Sequence, residues 1–170
     1  EDIDLKGEEW TPVTSLIGYL DGGGHSISNL TLKGGTGRYG SPVNTGLIGE
    51  LNGSIINLNV TNVDITEDIG NYNNVGVLVG KIEDGSTSKI DNCIVSGVIN
   101  STKGSSNTFI GGLVGYVTGT SALVINNCLS NVTLTYGNYS YAGGLLGAAN
   151  YFPGTISVKN AVVLGSITSG

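Results

Sequence analysis

The sequence predicts an all-β fold, a parallel β-helix of about five coils, because two short phrases recur along its 170 residues with a shared period. The first phrase ends in an asparagine, and five such asparagines are separated by 28, 35, 35 and 33 residues. The second phrase, Gly-Leu-x-Gly, recurs between them at steps of 31, 35 and 32 residues, with Val77 replacing the first glycine in one copy. Interleaved phrases with one period indicate a supersecondary unit that stacks on copies of itself. The five asparagines are Asn29, Asn57, Asn92, Asn127 and Asn160.

Each repeat is predicted to contain three short strands. Apolar residues alternate with polar or small residues around both phrases, which is the period of two expected for strands rather than the longer period of helices. The Gly-Leu-x-Gly phrase forms one strand, the phrase before the asparagine forms a second, and residues such as Val98 and Ile167 lie in a third. If each strand pairs with its counterpart one repeat later, residues 1–170 form a single β-helix domain.

The asparagines are predicted to lie where the chain turns between two strands. Asparagine is the residue other than glycine that most readily adopts left-handed backbone angles. Equal positions in successive coils would stack the five side chains in register as a structural ladder, with each amide bonding to its neighbours. The same alignment predicts two interior columns of mainly small or apolar residues. One contains Leu30, Leu58, Cys93, Cys128 and Ala161, and the other contains Leu32, Val60, Val95, Ser130 and Val163.

The two cysteines occupy one position in adjacent coils, so Cys93 and Cys128 are predicted to be neighbours in the interior. One strand spacing, about 4.8 Å, lies within the Cα separation that disulfides accept. Residues that pair in register on adjacent strands direct their Cβ atoms side by side, and this orientation strains a disulfide. Buried thiols also pack well as small apolar groups. The sequence leaves both a disulfide and a pair of stacked free thiols open.

Composition excludes several classes of partner. The chain carries a net charge of −6 and its seven cations are scattered, which argues against binding to nucleic acid. No apolar stretch approaches the roughly 18 residues that suggest a membrane span.

The chain does not begin with Met and shows no signal peptide, so we expect a processed form or a piece of a longer protein. Six possible glycosylation sites weakly favour export, and they are Asn29, Asn52, Asn59, Asn100, Asn131 and Asn138.

No pattern of residues predicts a catalytic or metal site, so we expect neither enzymatic activity nor a cofactor. His25 is the only histidine and has no nucleophile motif near it, and one histidine with two thiols gives no zinc-ligand spacing. β-Helix enzymes that cleave polysaccharides need converging carboxylates, or a basic residue beside an acidic cluster. Here Arg38 has no acids nearby in the sequence, and the acidic pairs at 67–68 and 83–84 are expected to be solvated loop residues, with a weak calcium site as the alternative.

Four longer segments precede the Gly-Leu-x-Gly phrases, at residues 34–45, 66–74, 100–108 and 136–142. Because they share one phase of the repeat, they are expected along one edge of the β-helix. This tyrosine-rich edge is either a set of ordinary solvent loops or a contact strip for glycans or a neighbouring protein. The residues of the predicted edge are Arg38, Tyr39, Tyr72, Lys103, Tyr136, Tyr139 and Tyr141.

The first thirty residues resemble the start of GLUG-repeat domains. The matching phrases are 2–5, 9–13 and 18–30, and copies of Gly-Leu-x-Gly follow them through the chain. GLUG-repeat domains are right-handed β-helices of bacterial and archaeal surface proteins, adhesins and the non-catalytic ectodomains of IgA-specific metalloproteases. The resemblance therefore implies a right-handed scaffold at the cell surface, and it specifies the fold more firmly than the function.

The ends of the predicted β-helix favour a structural role. A β-helix exposes unpaired strand edges and an apolar interior at each end, and neither end of this sequence shows a cap. We therefore expect an extracellular structural or adhesive module, such as a filament, sheath or stalk unit. It would stack end to end with itself or with neighbouring coils of a longer surface protein. The alternative is an adhesin domain that binds carbohydrate or a host ligand through the tyrosine-rich edge.

Overall fold

The computed structural model describes residues 1–67, 70–101, 107–150 and 154–170, which form an all-β solenoid of three parallel sheets. The described residues contain strands and turns but no helix, so none of them forms a helix that could cross a membrane. The predicted fold class is confirmed. About four turns are complete, rather than five, because the first coil contributes no strand to the third sheet.

Sheet 1 carries both sequence phrases. Its first two strands are nine residues long, whereas later coils divide the same stretch into two strands separated by a turn. The eight strands of sheet 1 are β2 (Val13–Asp21), β6 (Ile48–Ile56), β9 (Val79–Ile82), β10 (Thr87–Asp91), β13 (Val114–Thr118), β14 (Ala122–Asn126), β17 (Leu146–Asn150) and β18 (Thr155–Lys159).

Sheet 2 follows sheet 1 in each coil, after a sharp corner. Its strands at 94–101 and 129–136 pair residue for residue, so that Ile99 lies opposite Leu134, whereas the register shifts by one residue between 59–67 and 94–101. The eight strands of sheet 2 are β1 (Ile3–Asp4), β3 (Ser26–Ser28), β4 (Thr31–Lys33), β7 (Asn59–Glu67), β11 (Ile94–Ser101), β15 (Leu129–Tyr136), β19 (Val162–Val163) and β20 (Ile167–Ser169).

Sheet 3 precedes each Gly-Leu-x-Gly phrase, so a complete coil runs from sheet 3 through sheet 1 to sheet 2. The strands of sheet 3 lie at the ends of segments that were predicted to be loops. The two strands predicted for the repeated phrases both belong to sheet 1. The predicted division of strands was wrong because short polar segments such as 73–76 show no alternation, and only pairing with the next coil makes them strands. The four strands of sheet 3 are β5 (Val43–Thr45), β8 (Asn73–Gly76), β12 (Thr108–Gly111) and β16 (Ser140–Gly143).

Four of the five repeated asparagines form the corner between sheets 1 and 2. The amide of Asn92 donates to Oδ1 of Asn57 at 2.8 Å, and the amide of Asn57 donates to Asp21 of the preceding coil at 3.0 Å. These side chains lie at the surface, so the ladder stabilises the corner without being buried. Their backbone φ angles are 52°, 53°, 52° and 51° at Asn57, Asn92, Asn127 and Asn160.

Asn29 occupies a different position, and the predicted register of the first coil was wrong. Although its φ is 58°, Asn29 lies beside Asn62 in the next coil, and the Asn62 amide donates to the Asn29 side chain. The position opposite Asn57 is taken instead by the glycines at 22–24. Glycine adopts left-handed angles freely, so this corner needs no asparagine, and the sequence phrase did not mark it.

The same shift removes two leucines from their predicted columns. Leu30 aligns with Val63 rather than with Leu58, because Thr31 pairs with Asp64. Leu32 lies two residues further along, beside the C-terminal part of β7. Both leucines are fully buried there. The first coil therefore contributes to the core at a different place from the later coils.

The interior of the solenoid is a stack of apolar columns. Ile55, Ile90 and Ile125 lie one above another in register on sheet 1, and each has no exposed surface. Burying one such side chain contributes about 1.5–3 kcal/mol relative to leaving it exposed. On the sheet 2 side, Val60 and Val95 pair in the same way and are also fully buried.

Glycine is required at the corner between sheets 3 and 1. A Cβ atom at Gly76, Gly111 or Gly143 would collide with the carbonyl oxygen of the residue three positions later, which is already in sheet 1. The backbones of the two sheets therefore approach closely at this corner, and the glycine that directly precedes the second phrase in each of these three coils permits that approach.

Cys93 and Cys128 follow directly after the corner and lie next to each other in adjacent coils. Both are free thiols, with 0% and 2% of their surface exposed. The Cys93 thiol donates to the carbonyl of Asp91 at 3.3 Å. The neighbouring Cys128 thiol and burial hold the pKa of Cys93 above its ordinary value. The thiolate form of Cys93 is therefore disfavoured, and the two buried side chains pack as small apolar groups.

The corner ladder can be tested at Asn92. Asn92→Ala is expected to lower the free energy of unfolding by about 2 kcal/mol, since left-handed angles cost alanine ~1–2 kcal/mol and the lost hydrogen bond ~0.5–1.5 kcal/mol. Asn92→Gly keeps the backbone angles accessible and should cost only about half as much. Urea unfolding followed by circular dichroism measures both values.

Asn131→Ala is the matched control, because Asn131 is exposed in the middle of β15. It should change stability by less than about 0.5 kcal/mol. Equal losses in the alanine and glycine variants of Asn92 would show that the backbone angle is unimportant at the corner.

The cysteine pair can be tested with a bulky thiol reagent. Both cysteines should react only as fast as the protein unfolds, because both are buried. Thr133→Cys, at an exposed position on β15, should label within the mixing time and serves as the control. Rapid labelling of Cys93 in the native protein would contradict the core assignment, and failure to label in denaturant without reductant would reveal a disulfide.

Candidate functional site

A groove of about 410 Å³ follows the angle between the outer faces of sheets 3 and 1. Outward residues of β8 and β12 line one wall, and outward residues of β9 and β13 line the other. Loops that lead into sheet 3 close one side. The lining residues are Arg38, Tyr39, Gly40, Pro42, Tyr72, Asn74, Lys81, Asn107, Phe109, Tyr116, Thr118 and Asn150.

One half of the groove is aromatic. Phe109 of sheet 3 stacks on Tyr116 of sheet 1 with ring centroids 4.5 Å apart and an interplanar angle of 11°. Tyr141, one coil further on, lies 5.5 Å from Phe109. Tyr39 and Tyr72 form an edge-to-face pair at 6.4 Å. Such pairs contribute about 0.5–1.5 kcal/mol beyond the burial of their area, so they hold the groove in a defined shape.

The other half of the groove is polar and comes from the same two columns one coil earlier, at Asn74 and Lys81, which contact Asn44 and Glu50 outside the lining. The Asn74 amide donates to Asn44 at 2.7 Å, and the Asn44 amide donates to Glu50 at 2.9 Å. Lys81 lies 3.4 Å from the same carboxylate oxygen of Glu50. This chain of contacts crosses from sheet 3 to sheet 1 and neutralises Glu50.

Arg38 and Tyr39 project from a tight turn on the rim. The backbone N–H groups of Arg38 and Ser41 donate to each other's carbonyls at 3.2 and 2.8 Å, and Gly40 has the φ of 79° that the turn requires. The Gly37 N–H donates to Asn71, which fixes the turn against the next coil. Tyr39 is 88% exposed, so its ring is available to a ligand.

The structure brings together only part of the predicted tyrosine-rich edge. Arg38, Tyr39 and Tyr72 line the groove, and Tyr141 adjoins it through Phe109. Tyr136 instead packs against the core at the end of β15, and Tyr139 is 77% exposed outside the groove lining. Lys103 lies outside the described residues.

Sequence reasoning missed Phe109 and Tyr116. Both follow apolar patterns typical of core strands, and both lie outside the four longer segments of the predicted edge. Their alignment with Asn74 and Lys81 of the preceding coil was the available signal, because those polar residues mark the columns as outward-facing.

The possible glycosylation sites differ in their accessibility. Asn131 and Asn138 are exposed, whereas Asn52, Asn59 and Asn100 are half-buried. Asn29 is half-buried and its amide donates to Asp4 at 2.6 Å.

The described residues contain no cluster of three or more histidine, cysteine or acidic side chains that could hold a metal ion. His25 lies at the first corner, where its Nδ1 is 3.6 Å from a carboxylate oxygen of Asp2. The backbone N–H of Ser26, and to a smaller extent His25, hold the pKa of Asp2 below its ordinary value. The exposed pair of Asp2 and His25 joins the start of β1 to the start of β3. Local structure therefore explains why these two residues lie together.

Comparisons with known proteins give one distant structural likeness. The chain is similar to the crystal structure of a candidate immunoglobulin A1 protease from Bacteroides ovatus, with a TM-score of 0.45 and 16% identity, over 98% of this chain and 68% of that chain. No protein-family model matches the sequence, so the GLUG resemblance stays a prediction from its motifs. No curated protein matches either.

Proposed function

We propose that the protein is a non-enzymatic, extracellular structural and adhesive module that extends by stacking along the solenoid axis. The observation that supports the proposal is the contrast between inner and outer coils. Leu134 is fully buried in an inner coil, whereas Ile167, its partner in the last strand, is 42% exposed. At the other end, Ile3 is 52% exposed, and it aligns through Ile27 with the fully buried Val60. A further coil would cover these apolar surfaces and pair the free strand edges.

The charges at the two ends favour head-to-tail stacking over head-to-head stacking. Residues 1–25 contain six of the thirteen acidic residues, whereas residues 143–170 contain no acid and one lysine, Lys159. Two acidic ends would repel each other. A contact between unlike ends is heterologous and does not close, so it propagates along the axis. The covering coil would come from a second copy or from neighbouring coils of a longer polypeptide.

Stacking can be tested with substitutions at the two ends. Ile3→Asp and Leu164→Pro should abolish end-to-end assemblies of the chain, because the first places a charge on an apolar surface and the second removes the hydrogen bond from Leu164 N–H to Ser130 that holds the last coil in place. Unfolding of the inner coils should be unchanged, since each coil contacts only its neighbours. Sedimentation velocity and electron microscopy measure the assemblies.

Val98→Asp is the matched control, because Val98 is a similarly exposed apolar residue in an inner coil. It should leave assembly intact. A chain that stays monomeric at high concentration would reject self-stacking and leave the side of the solenoid as its functional surface.

A second candidate function, binding of carbohydrate, is favoured by the groove between sheets 3 and 1. Its volume of about 410 Å³ falls within the range of small-ligand sites, about 300–1,000 Å³. Tyrosine and phenylalanine rings offer flat apolar surfaces for sugar rings, and the amides beside them can bond to hydroxyl groups. The groove is on the side of the solenoid, so ligand binding there is compatible with stacking at the ends.

Carbohydrate binding can be tested by a glycan array followed by titration. Tyr39→Ala should weaken binding of any glycan that the array identifies by about tenfold, which corresponds to about 1.4 kcal/mol of lost contact. Tyr139→Ala removes an equally exposed tyrosine outside the groove and should have no effect. Equal losses in the two variants would place the glycan elsewhere on the protein.

A further inference from the structure

We propose that the groove selects a carboxylated sugar ring, with Arg38 binding the carboxylate. The proposal rests on the carbohydrate-binding function proposed above and names its ligand class. It requires a free cation in the groove, a neutral remainder of the lining, and aromatic rings at the same place.

Arg38 supplies the free cation. It is the only arginine of the chain, it is exposed, and within the described residues it forms no ion pair. Its backbone is fixed by the two hydrogen bonds to Ser41, so the rim turn presents the guanidinium from a defined position. The planar guanidinium matches the two oxygens of a carboxylate, which gives directional as well as electrostatic recognition.

The other charges of the groove cancel. Lys81 is paired with Glu50, which also accepts a hydrogen bond from Asn44, so this cluster contributes no net charge. The described residues that line the groove include no acidic residue. These described residues therefore carry a local charge of about +1 on a protein whose net charge is −6. This balance suits one carboxylate held among neutral hydroxyl groups.

The aromatic pairs provide the second element of selectivity. Tyr39 belongs to the same turn as Arg38, and its partner Tyr72 also lines the groove. A pyranose ring that stacks on an exposed tyrosine keeps its carboxylate at the ring edge, on the side that a neighbouring guanidinium can reach. Simple carboxylates lack the apolar ring face that stacks on tyrosine, and neutral sugars lack the charge that Arg38 binds. Each of these ligands therefore contacts only half of the site.

Two natural sources present this chemistry, namely sialic acid at the end of host glycans and uronic acids within acidic polysaccharides. The experiment uses matched pairs of probes on the full chain of 170 residues. Binding of 3′-sialyllactose is compared with lactose, and binding of trigalacturonate is compared with its methyl ester, by isothermal titration calorimetry at low and high salt. The acidic member of at least one pair should bind about tenfold or more tightly than its neutral match, with a preference that falls as salt rises.

Arg38→Gln should remove that preference and bring the acidic probe to the affinity of its neutral match. Arg38→Lys should restore part of it, because the charge returns without the planar two-point contact. Lys159→Gln, a remote loss of one positive charge, should keep the preference. Circular dichroism of each variant checks that the solenoid is folded.

The outcomes separate this proposal from the function on which it rests. Equal binding of acidic and neutral probes, or a preference that survives Arg38→Gln, would overturn the acidic-sugar assignment and leave a neutral glycan site in the groove. Absence of binding to all four probes and to every glycan of the array would overturn both. A preference for sialyllactose alone or trigalacturonate alone supports the proposal and identifies the source.

Discussion

In-register parallel pairing between successive coils is the constraint on which the rest of this structure depends. Strands of sheets 1 and 2 pair with the equivalent strand of the next coil, as at Ile90 and Ile125, and the register shifts at a bulge between β7 and β11. Because side chains alternate between the two faces of a strand, a slip of one residue would exchange the interior and exterior columns. The core, the corner ladder and the groove are all consequences of this one register.

The register also explains how the protein tolerates variation. Inward columns are filled by residues of similar size and shape, whereas outward columns change chemistry from coil to coil. One outward column reads Asn44, Asn74, Phe109 and Tyr141, and the column facing it reads Glu50, Lys81, Tyr116 and Ala148. The groove therefore changes from polar to aromatic along the axis while the backbone beneath it stays regular. Function on such a fold is determined by these outward positions and not by the scaffold.

The two proposed functions use different surfaces of the solenoid and place different demands on it. Stacking uses the ends, where strand edges and apolar columns are exposed. Ligand binding uses the side, where sheets 3 and 1 meet at the glycine corner. Since each coil contacts only its neighbours, changes at one end are poorly transmitted to a groove in the middle coils. Because each coil contacts only its neighbours, a long array of such coils can hold a binding site on its side.

The repeat period, the parallel β-solenoid class and the left-handed corner at Asn57, Asn92, Asn127 and Asn160 could be derived from the sequence alone. They follow from local properties, namely alternation and the backbone angles that asparagine tolerates. The register of the first coil could not, because glycines at 22–24 form its corner and leave Asn29 beside Asn62. Sheet 3 and the groove were likewise decided only by tertiary structure. The strands of sheet 3 are short and show no alternation that marks them as strands, and Phe109 meets Tyr116 only because the chain folds back at a glycine corner and brings two outward columns together.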